Sequence, residues 1–448
     1  EELVDRIGQR QRGGRPIRHK HAEQAMSGAM AGLILGGAVV ALLVLRQYLL
    51  VVLFVVAGFA WYVWGDGNLE NVVLDGWDAL NQDVLLPIPL YLLAGAIMAE
   101  GGIASRLIRV MRAIVGPIPG GLAVATALSC GLFSAIVGSS TVTLLAIGSV
   151  MYPALLAAGY KRSFALGLIC AGSTLGIIIP PSIPLILYGV MTQTSIADLF
   201  LAGVGPGLLL LALFAAYSVA TNWKLRLGTW SGAEFFDSLK DGIWALLMPV
   251  IILGGIYSGQ FTATESAAVA VVYAIVVELF IYKKLDLKGM VRVGTDTTRL
   301  LGGLFPVLLM ALSLNKFLAF QQVPMMMVDL LSGIITTKAS FILINNALLL
   351  VVGLLMDIGS AILILSPILQ PLAQAQGIDP VHFGIMMTVN LEIGYLTPPM
   401  GLNIIVAMTA FRESFGFVCR SVVPFIGLMV IALVIVSFWP ALSLFLLK

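Results

Sequence analysis

Two stretches of the chain gather oxygen-bearing side chains and unhindered backbone inside otherwise apolar sequence. The first holds Gly138-Ser139-Ser140-Thr141, then Gly172-Ser173-Thr174, Gly176 and Pro180-Pro181-Ser182. The second holds Asp357, Gly359 and Ser360, then Asn390, Gly394, Thr397 and Pro398-Pro399. Hydroxyls, carbonyls and a carboxylate are the ligands a hard cation such as sodium accepts in exchange for water. A helix normally uses its carbonyls internally; glycine and proline break it, free those carbonyls and leave half-helix ends with exposed dipoles. The amides at a half-helix N-terminus suit an anion. The expected chemistry is joint binding of a cation and an anionic solute. The first cation site is expected at Gly138, Ser139, Ser140, Gly172, Ser173 and Gly176, and the second at Asp357, Gly359, Ser360, Gly394 and Thr397. Solute contacts are expected from Ser140, Thr141, Pro180, Pro181, Ser182, Ser360, Asn390, Pro398 and Pro399. Each Ser or Thr taken singly also suits a structural role, bonding back to its own helix and packing closely.

The two stretches are copies of one pattern. Pro153 falls on Pro371, Gly159 on Gly377, Gly176 on Gly394 and Pro180-Pro181 on Pro398-Pro399, all at one offset (394 − 176 = 218). Such a gapless register of backbone-special residues marks an internal repeat. The elements that position these residues are read as two re-entrant hairpins, near 120–158 and 339–376, each followed by a discontinuous helix. Exposed backbone at a hairpin tip is tolerable at membrane depth only where it is buried in protein or lines a wet cavity.

Composition places the whole chain in a membrane. Of 448 residues 59% are hydrophobic and 11% charged, against about a quarter charged in soluble domains. Mean hydropathy is +1.02. Spans of about twenty residues, the length a bilayer core requires, are expected near 27–46, 47–64, 85–103, 162–190, 199–222, 243–258, 264–282, 300–320, 380–411 and 421–446. Segments 104–116 and 285–299 read as amphipathic arms lying at the membrane surface. Residues 1–25 form a polar tail with Arg6, Arg10, Arg12, Arg15, Arg18 and Lys20. The first apolar run is too long for a cleavable signal peptide, and the start at Glu1-Glu2 rather than Met fits a piece of a longer product.

Charge sets the orientation. Arg46, Arg106, Arg109, Arg112, Lys161, Arg162, Lys224, Arg226, the basic cluster from Lys283 to Arg299, Arg412 and Arg420 fall on one side of this layout. Segments 65–84, 191–198 and 258–263 on the other side hold no Lys or Arg. The basic residues therefore face the cytoplasm, although the tail 1–25 then lies outside, against the same rule. An odd number of spans, five, separates the repeats, so the second is inverted relative to the first. Inverted repeats with discontinuous helices and a site near the midplane are the mark of secondary transporters.

Within the expected spans Asp357 is the most informative residue, because an intramembrane carboxylate is costly and usually functional. Glu392 divides evenly between a functional and a structural role. Lys316 suits snorkelling at a span end, and Glu100 marks the end of one. No phosphate-binding G-x-x-x-x-G-K-[ST] loop is present, and no histidine stands near the serines to act as general base, so an enzyme is not expected. Cys130, Cys170 and Cys419 are isolated and form no metal or redox spacing. No metal other than sodium and no nucleic-acid partner is expected.

The chain resembles the large membrane subunit of tripartite ATP-independent periplasmic (TRAP) transporters. The resemblance rests on the run from Pro87 to Met98, the Gly138-Ser139-Ser140 tip, Ile178-Ile179-Pro180-Pro181-Ser182-Ile183, Gly259-Gln260-Phe261-Thr262-Ala263-Thr264-Glu265, Gly377-Ile378-Asp379, His382-Phe383-Gly384 and Thr397-Pro398-Pro399-Met400-Gly401. It covers about residues 47 to 448, and Ala263 stands where the family pattern has proline. The resemblance implies an all-α, elevator-type, sodium-driven importer of a small organic acid anion such as a C4-dicarboxylate or sialic acid. It adds Met400 to the second sodium site. It also implies a periplasmic substrate-binding protein, a small four-helix membrane subunit, surrounding membrane lipid and a multi-pass place in the bacterial inner membrane. The expected division is a tail 1–25, scaffold 26–119, first transport repeat 120–190, scaffold 191–338, second transport repeat 339–411 and a final helix 412–448. A binding-protein-independent sodium–dicarboxylate symporter is the nearest alternative, but its hairpin tips would read Ser-Asn-Thr. A channel is the more distant one.

Overall fold

The computed structural model describes residues 30–42, 45, 47–65, 67, 69–81, 83–116, 118–225, 231–331, 337–398 and 401–447. The tail 1–25 and the expected site residues Pro399 and Met400 lie outside them. Among the described residues the regular structure is helical, and ten helices are long and apolar enough to cross a membrane. The chain divides into two compact units, residues 1–79 with 306–317, and 80–305 with 318–448.

In the first unit, α1 (Met30–Leu42) and α2 (Leu49–Trp64) precede α3 (Glu70–Leu80). Helix α3 lies within the segment 65–84, which holds no Lys or Arg. Its Asp75 and Asp78 stand three residues apart, on one helical face, and both take the Lys316 ammonium, at 3.1 and 3.5 Å. Lys316 is thus an ion-pair partner in this unit rather than a lone snorkelling cation.

The second unit carries both repeats. Helices α4 (Pro87–Glu100) and α5 (Ile103–Val115) lead into the first hairpin, α6 (Gly121–Val137) and α7 (Ser140–Ala157). The first discontinuous helix follows as α8 (Arg162–Ile178) and α9 (Ile183–Thr192). Then come α10 (Ile196–Thr221), α11 (Gly232–Tyr257), α12 (Ala263–Val276), α13 (Leu287–Phe320), whose residues 306–317 belong to the first unit, and α14 (Val323–Leu331). The second hairpin is α15 (Lys338–Leu355) and α16 (Ile358–Ala375), and the second discontinuous helix is α17 (Pro380–Gly394) and α18 (Leu402–Phe411). Helix α19 (Phe415–Phe438) and the short α20 (Ala441–Leu444) close the chain.

The 218-residue offset holds for the helices themselves: α7 begins at Ser140 and α16 at Ile358, and α8 begins at Arg162 where its partner α17 begins at Pro380. The packing is reciprocal. In each repeat the first hairpin helix lies against the first half-helix, α6 on α8 and α15 on α17. The half-helix after each break then crosses to the other repeat, α9 onto α16 and α18 onto α7. A two-fold relation between the repeats requires such mutual exchange.

Three boundaries differ from the sequence reading. The expected arm 285–299 and span 300–320 are one 34-residue helix, α13. At 1.5 Å per residue it runs to about 50 Å, longer than a hydrocarbon core of about 30 Å. Its charged first part can therefore continue the helix beyond the span instead of breaking away. The span expected from 243 begins at Gly232, because Ser231 caps it by accepting the Glu234 amide. The final span ends at Phe438, with α20 as a separate turn after Pro440. The expected arm at 104–116 is present as α5, which presents Arg106 and Arg109 to Asp241 and Asp237 of α11.

Candidate functional site

The first hairpin turns on Gly138, which adopts the left-handed conformation at φ 64°. Only glycine does so without strain. A Cβ there would also stand 2.6 Å from the Pro181 carbonyl, so the tip seats directly on the break of the α8–α9 helix. Gly176, in the last turn of α8, lies against the Ser139 carbonyl in the same contact. Across the break, the Ile179 amide still donates to Leu175 O at 2.8 Å. The Ser182 hydroxyl donates back to Ile177 O and accepts from the Leu185 amide, so it caps α9. Pro180, Pro181 and Ser182 are all buried. They shape the break, and the Ser182 side chain is committed to capping.

Ser140 and Ser173 meet, and a residue that sequence reasoning missed brings them together. Asn403, in the first turn of α18, donates its side-chain amide to Ser140 Oγ at 2.5 Å and to Ser173 Oγ at 3.1 Å. Ser173 passes its own proton to Cys170 O at 2.8 Å. The opposite amide atom, Asn403 Oδ1, is buried without a hydrogen-bond partner. A buried, unsatisfied carbonyl oxygen costs about 1–3 kcal/mol. With the Ser140 and Ser173 hydroxyls gathered by the amide nitrogen, this oxygen is a further neutral donor of the kind that a hard monovalent cation accepts. Asn403 follows the second break at close range, which was the available signal, but no spacing links it to a site 230 residues upstream.

The second hairpin turns on Met356 and Asp357. The Asp357 carboxylate caps α16, accepting the Ser360 amide at 2.9 Å and the Ser360 hydroxyl. Asp357 is exposed, and its side chain crowds Gly359, where a Cβ would stand 3.2 Å from Oδ2. With Gly353, Gly394, Tyr395, Gly401, Leu402 and Ile405 it lines a cavity of about 60 Å³. That volume holds a small ion or a water molecule. Gly394 meets Gly353 backbone to backbone here; a Cβ on Gly394 would stand 2.3 Å from Gly353 O. Thr397 lies in the break with its hydroxyl bonded to Ile393 O at 2.7 Å, and Pro398 is exposed.

Asn390 is not brought to this cavity. One helical turn before Gly394, its amide donates to Asn346 of α15 at 3.0 and 3.1 Å. Thr141 is half-buried beside the first tip, and Ser360 is buried behind the second. Among the described residues no three His, Cys, Asp or Glu side chains gather as a metal cluster; the oxygens above are mostly hydroxyls, amides and backbone.

Glu265 acquires a role. With Thr262 it forms a reciprocal capping box at the start of α12: its carboxylate accepts the Thr262 amide at 2.8 Å, and Thr262 Oγ1 accepts the Glu265 amide at 3.2 Å. Ala263 is then the first helical residue, the position where proline is well tolerated, which accounts for the departure noted there. Glu265 also borders a cleft of about 680 Å³ between the α9–α10 turn, the start of α12 and Asp83.

Ten apolar helices, two related hairpins and two broken helices define a polytopic membrane protein with the architecture of secondary transporters. The family model of the tripartite ATP-independent periplasmic transporter DctM component matches residues 28–442, and the chain belongs to this family. It is 40% identical over 380 residues to the C4-dicarboxylate TRAP transporter large permease protein DctM of Pseudomonas aeruginosa, covering 84% of this chain and 89% of that one. It is 36% identical to the ectoine large permease protein TeaC of Halomonas elongata, over 87% of this chain and 92% of the relative. Identity is also 36% to the sialic acid large permease protein SiaM of Vibrio cholerae, over 82% and 87%. The fold is shared with the YdaH transporter of Alcanivorax borkumensis, whose crystal structure is described as revealing an unusual topology. The TM-score is 0.62 over 83% of this chain and 87% of that one, at 13% identity.

Proposed function

We propose that this TRAP large permease imports a small organic acid anion by symport with sodium across the bacterial inner membrane. A periplasmic substrate-binding protein delivers the solute, and a small four-helix membrane subunit packs beside this chain. The observation that carries sodium coupling is the Asn403 side chain, whose amide nitrogen gathers the Ser140 and Ser173 hydroxyls while its Oδ1 is buried without a hydrogen-bond partner. A second sodium is assigned to the cavity at Asp357 and Gly394. The solute lies between the two hairpin tips, near Ser140, Thr141 and Ser360. Relatives named for C4-dicarboxylate and sialic acid both handle carboxylates, which fits an anion held by half-helix ends.

The moving body in this reading comprises residues 120–190 and 339–411. Its elements interlock, α9 on α16 and α18 on α7, so they move together. Such a unit fits an elevator better than two gates working separately. The deciding experiment is uptake by proteoliposomes containing this chain and its small subunit, with and without binding protein, in a sodium or a potassium gradient. Uptake that needs both sodium and the binding protein supports the reading. Uptake unchanged in potassium overturns the coupling, and uptake unchanged without the binding protein favours the self-sufficient symporter.

A further inference from the structure

Five basic residues, Lys283, Lys284, Lys288, Arg292 and Arg299, share one short stretch with two aspartates, a net of +3 where the whole chain carries +2. All five are exposed. Asp286 is held at the start of α13, where its carboxylate accepts the Gly289 amide at 2.7 Å. Glu100 takes Arg292 at 2.8 Å, and Asp296 takes Arg299 at 3.1 Å. Both pairs are open to solvent, where such contacts are weak, and each leaves most of the guanidinium N–H donors available. Among the described residues the three lysines enter no salt bridge.

The local fold fixes this stretch. Glu278, fully buried in a π-helical turn after α12, accepts the Gly102 amide at 2.8 and 2.9 Å and the Ile103 amide at 3.0 Å. The Lys284 amide donates to Glu278 O at 3.1 Å, and Lys283 turns the chain at φ 51°. On α13, residues four and seven apart share a face, so Lys288, Arg292 and Arg299 form one stripe. Leu287 and Val291, each one position earlier, form a neighbouring apolar stripe and are 77% and 68% exposed. Val293 and Thr297 lie on the opposite side and are buried.

The place of the stretch identifies what meets it. At about 50 Å, α13 outruns a hydrocarbon core of about 30 Å by about 13 residues. Residues 300–320 hold one charged residue, Lys316, so the excess falls at the end from Leu287 to Arg299. The charge rule puts that end at the cytoplasmic leaflet. A helix with an apolar stripe beside a Lys/Arg stripe lies with the first at the acyl boundary and the second among the headgroups. Clusters of Lys/Arg next to a span attract anionic lipid. The arm α5 differs, since Arg106 and Arg109 are already taken by Asp241 and Asp237.

We propose that the stretch from Lys283 to Arg299 binds anionic phospholipid of the cytoplasmic leaflet. The basic side chains meet the headgroup phosphates, and Leu287 and Val291 meet the acyl chains. The ligand is a phosphodiester of net negative charge, such as phosphatidylglycerol. In a zwitterionic phospholipid the headgroup's own cation offsets the phosphate, so it binds less well. Bound lipid would hold the turn between α12 and α13 at the leaflet and steady the scaffold segment 191–338. That consequence rests on the transport reading above; the lipid binding does not.

The test follows Tm of the purified, delipidated permease with its small subunit. It is titrated in detergent with phosphatidylglycerol, with phosphatidylcholine of the same acyl chains, or with inorganic phosphate. A ligand of the folded state raises Tm, and phosphatidylglycerol alone is expected to do so strongly. Each charge removed should weaken its binding about fivefold, hence about a hundredfold in Lys283→Gln/Lys284→Gln/Lys288→Gln. Leu287→Ser/Val291→Ser should weaken it too, and unfolding without lipid verifies the fold of both variants. Lys161→Gln/Arg420→Gln, which removes charge on the same side but off the stripe, should leave it unchanged. Equal affinity in wild type and the lysine variant overturns the proposal, as does an equal rise with phosphatidylcholine or phosphate. So does an equal loss in Lys161→Gln/Arg420→Gln, which would mark surface charge in general. Release of the small subunit from the lysine variant, seen by size exclusion, would instead make the stretch a protein interface. None of these outcomes depends on sodium or uptake, so failure here leaves the transport reading standing.

Discussion

Asn403 and Ser140, 263 residues apart, meet through an amide-to-hydroxyl hydrogen bond of 2.5 Å. Ser140 belongs to the first hairpin and Asn403 to the half-helix after the second break, so one repeat contributes to the oxygen cluster of the other. A cation bound among Ser140, Ser173 and Asn403 would tie the first hairpin to the second broken helix. Binding would then stabilise the interlocked arrangement of the repeats as a whole.

Replacing Asn403 with Ala removes both the donor to two hydroxyls and the free Oδ1. One net hydrogen bond is worth about 0.5–1.5 kcal/mol, so a loss of about tenfold in apparent sodium affinity is expected. Thermal unfolding of the purified protein in sodium against potassium measures it without transport. Ligand binding raises stability by mass action, so the sodium-dependent rise in Tm should shrink in Asn403→Ala and in Ser140→Ala. An undiminished rise in both variants would remove the first site.

Asp357 combines two tasks that substitution can separate. As a helix cap it contributes about 1 kcal/mol, which asparagine largely retains and alanine does not. Asp357→Asn is expected to keep the wild-type Tm in potassium while weakening sodium binding through loss of the negative charge. Asp357→Ala should lower both. Sodium titration of uptake that is equal for Asp357→Asn and wild type would leave the residue with its cap alone.

The glycine and proline positions of the repeat were legible because backbone geometry leaves few alternatives. Gly159 and Gly377 both adopt a positive φ, Gly176 and Gly394 both admit neighbouring backbone, at Ser139 and Gly353, and these requirements survive as matched letters 218 residues apart. The hairpin limits followed from the same letters. Asn403 was not legible, since its partners are set by how α18 crosses onto α7 and not by any local pattern. Asn390 was misleading for a related reason: being polar near the break does not decide which neighbour a helix face meets, and it meets Asn346. The continuous α13 was hidden because charge among apolar residues looks the same in a surface arm and in a helix that outruns its span.

Glu265 separates structure from transport. Its capping box at α12 predicts that Glu265→Ala lowers Tm, because the Thr262 amide loses its acceptor. Glu265→Gln, which can still accept from the Thr262 amide, should recover most of it. Apparent sodium affinity is expected to be unchanged in both, because the carboxylate lies at the start of α12 and its bonds run to Thr262. A shift in sodium affinity with Tm intact would assign Glu265 to the coupling machinery instead.

Gly394 and Gly353 give the sharpest stability prediction, because their asymmetry is geometric. A methyl at Gly394 would stand 2.3 Å from Gly353 O and 2.5 Å from its carbonyl carbon, with backbone on both sides. Backbone cannot swing aside as a side chain can, so Gly394→Ala must push α15 away from α17. Overpacking of this kind costs about 1–3 kcal/mol, and it would also open the cavity that Asp357 lines. The converse Gly353→Ala places its methyl 3.3 Å from Gly394 Cα, a contact relieved by a few tenths of an ångström. Gly394→Ala is therefore expected to lower both Tm and sodium-dependent stabilisation, and Gly353→Ala to lower Tm only slightly. Equal Tm losses in the two variants, measured by thermal unfolding in the same detergent, would mean that the two helices do not approach as closely as Gly394 and Gly353 place them.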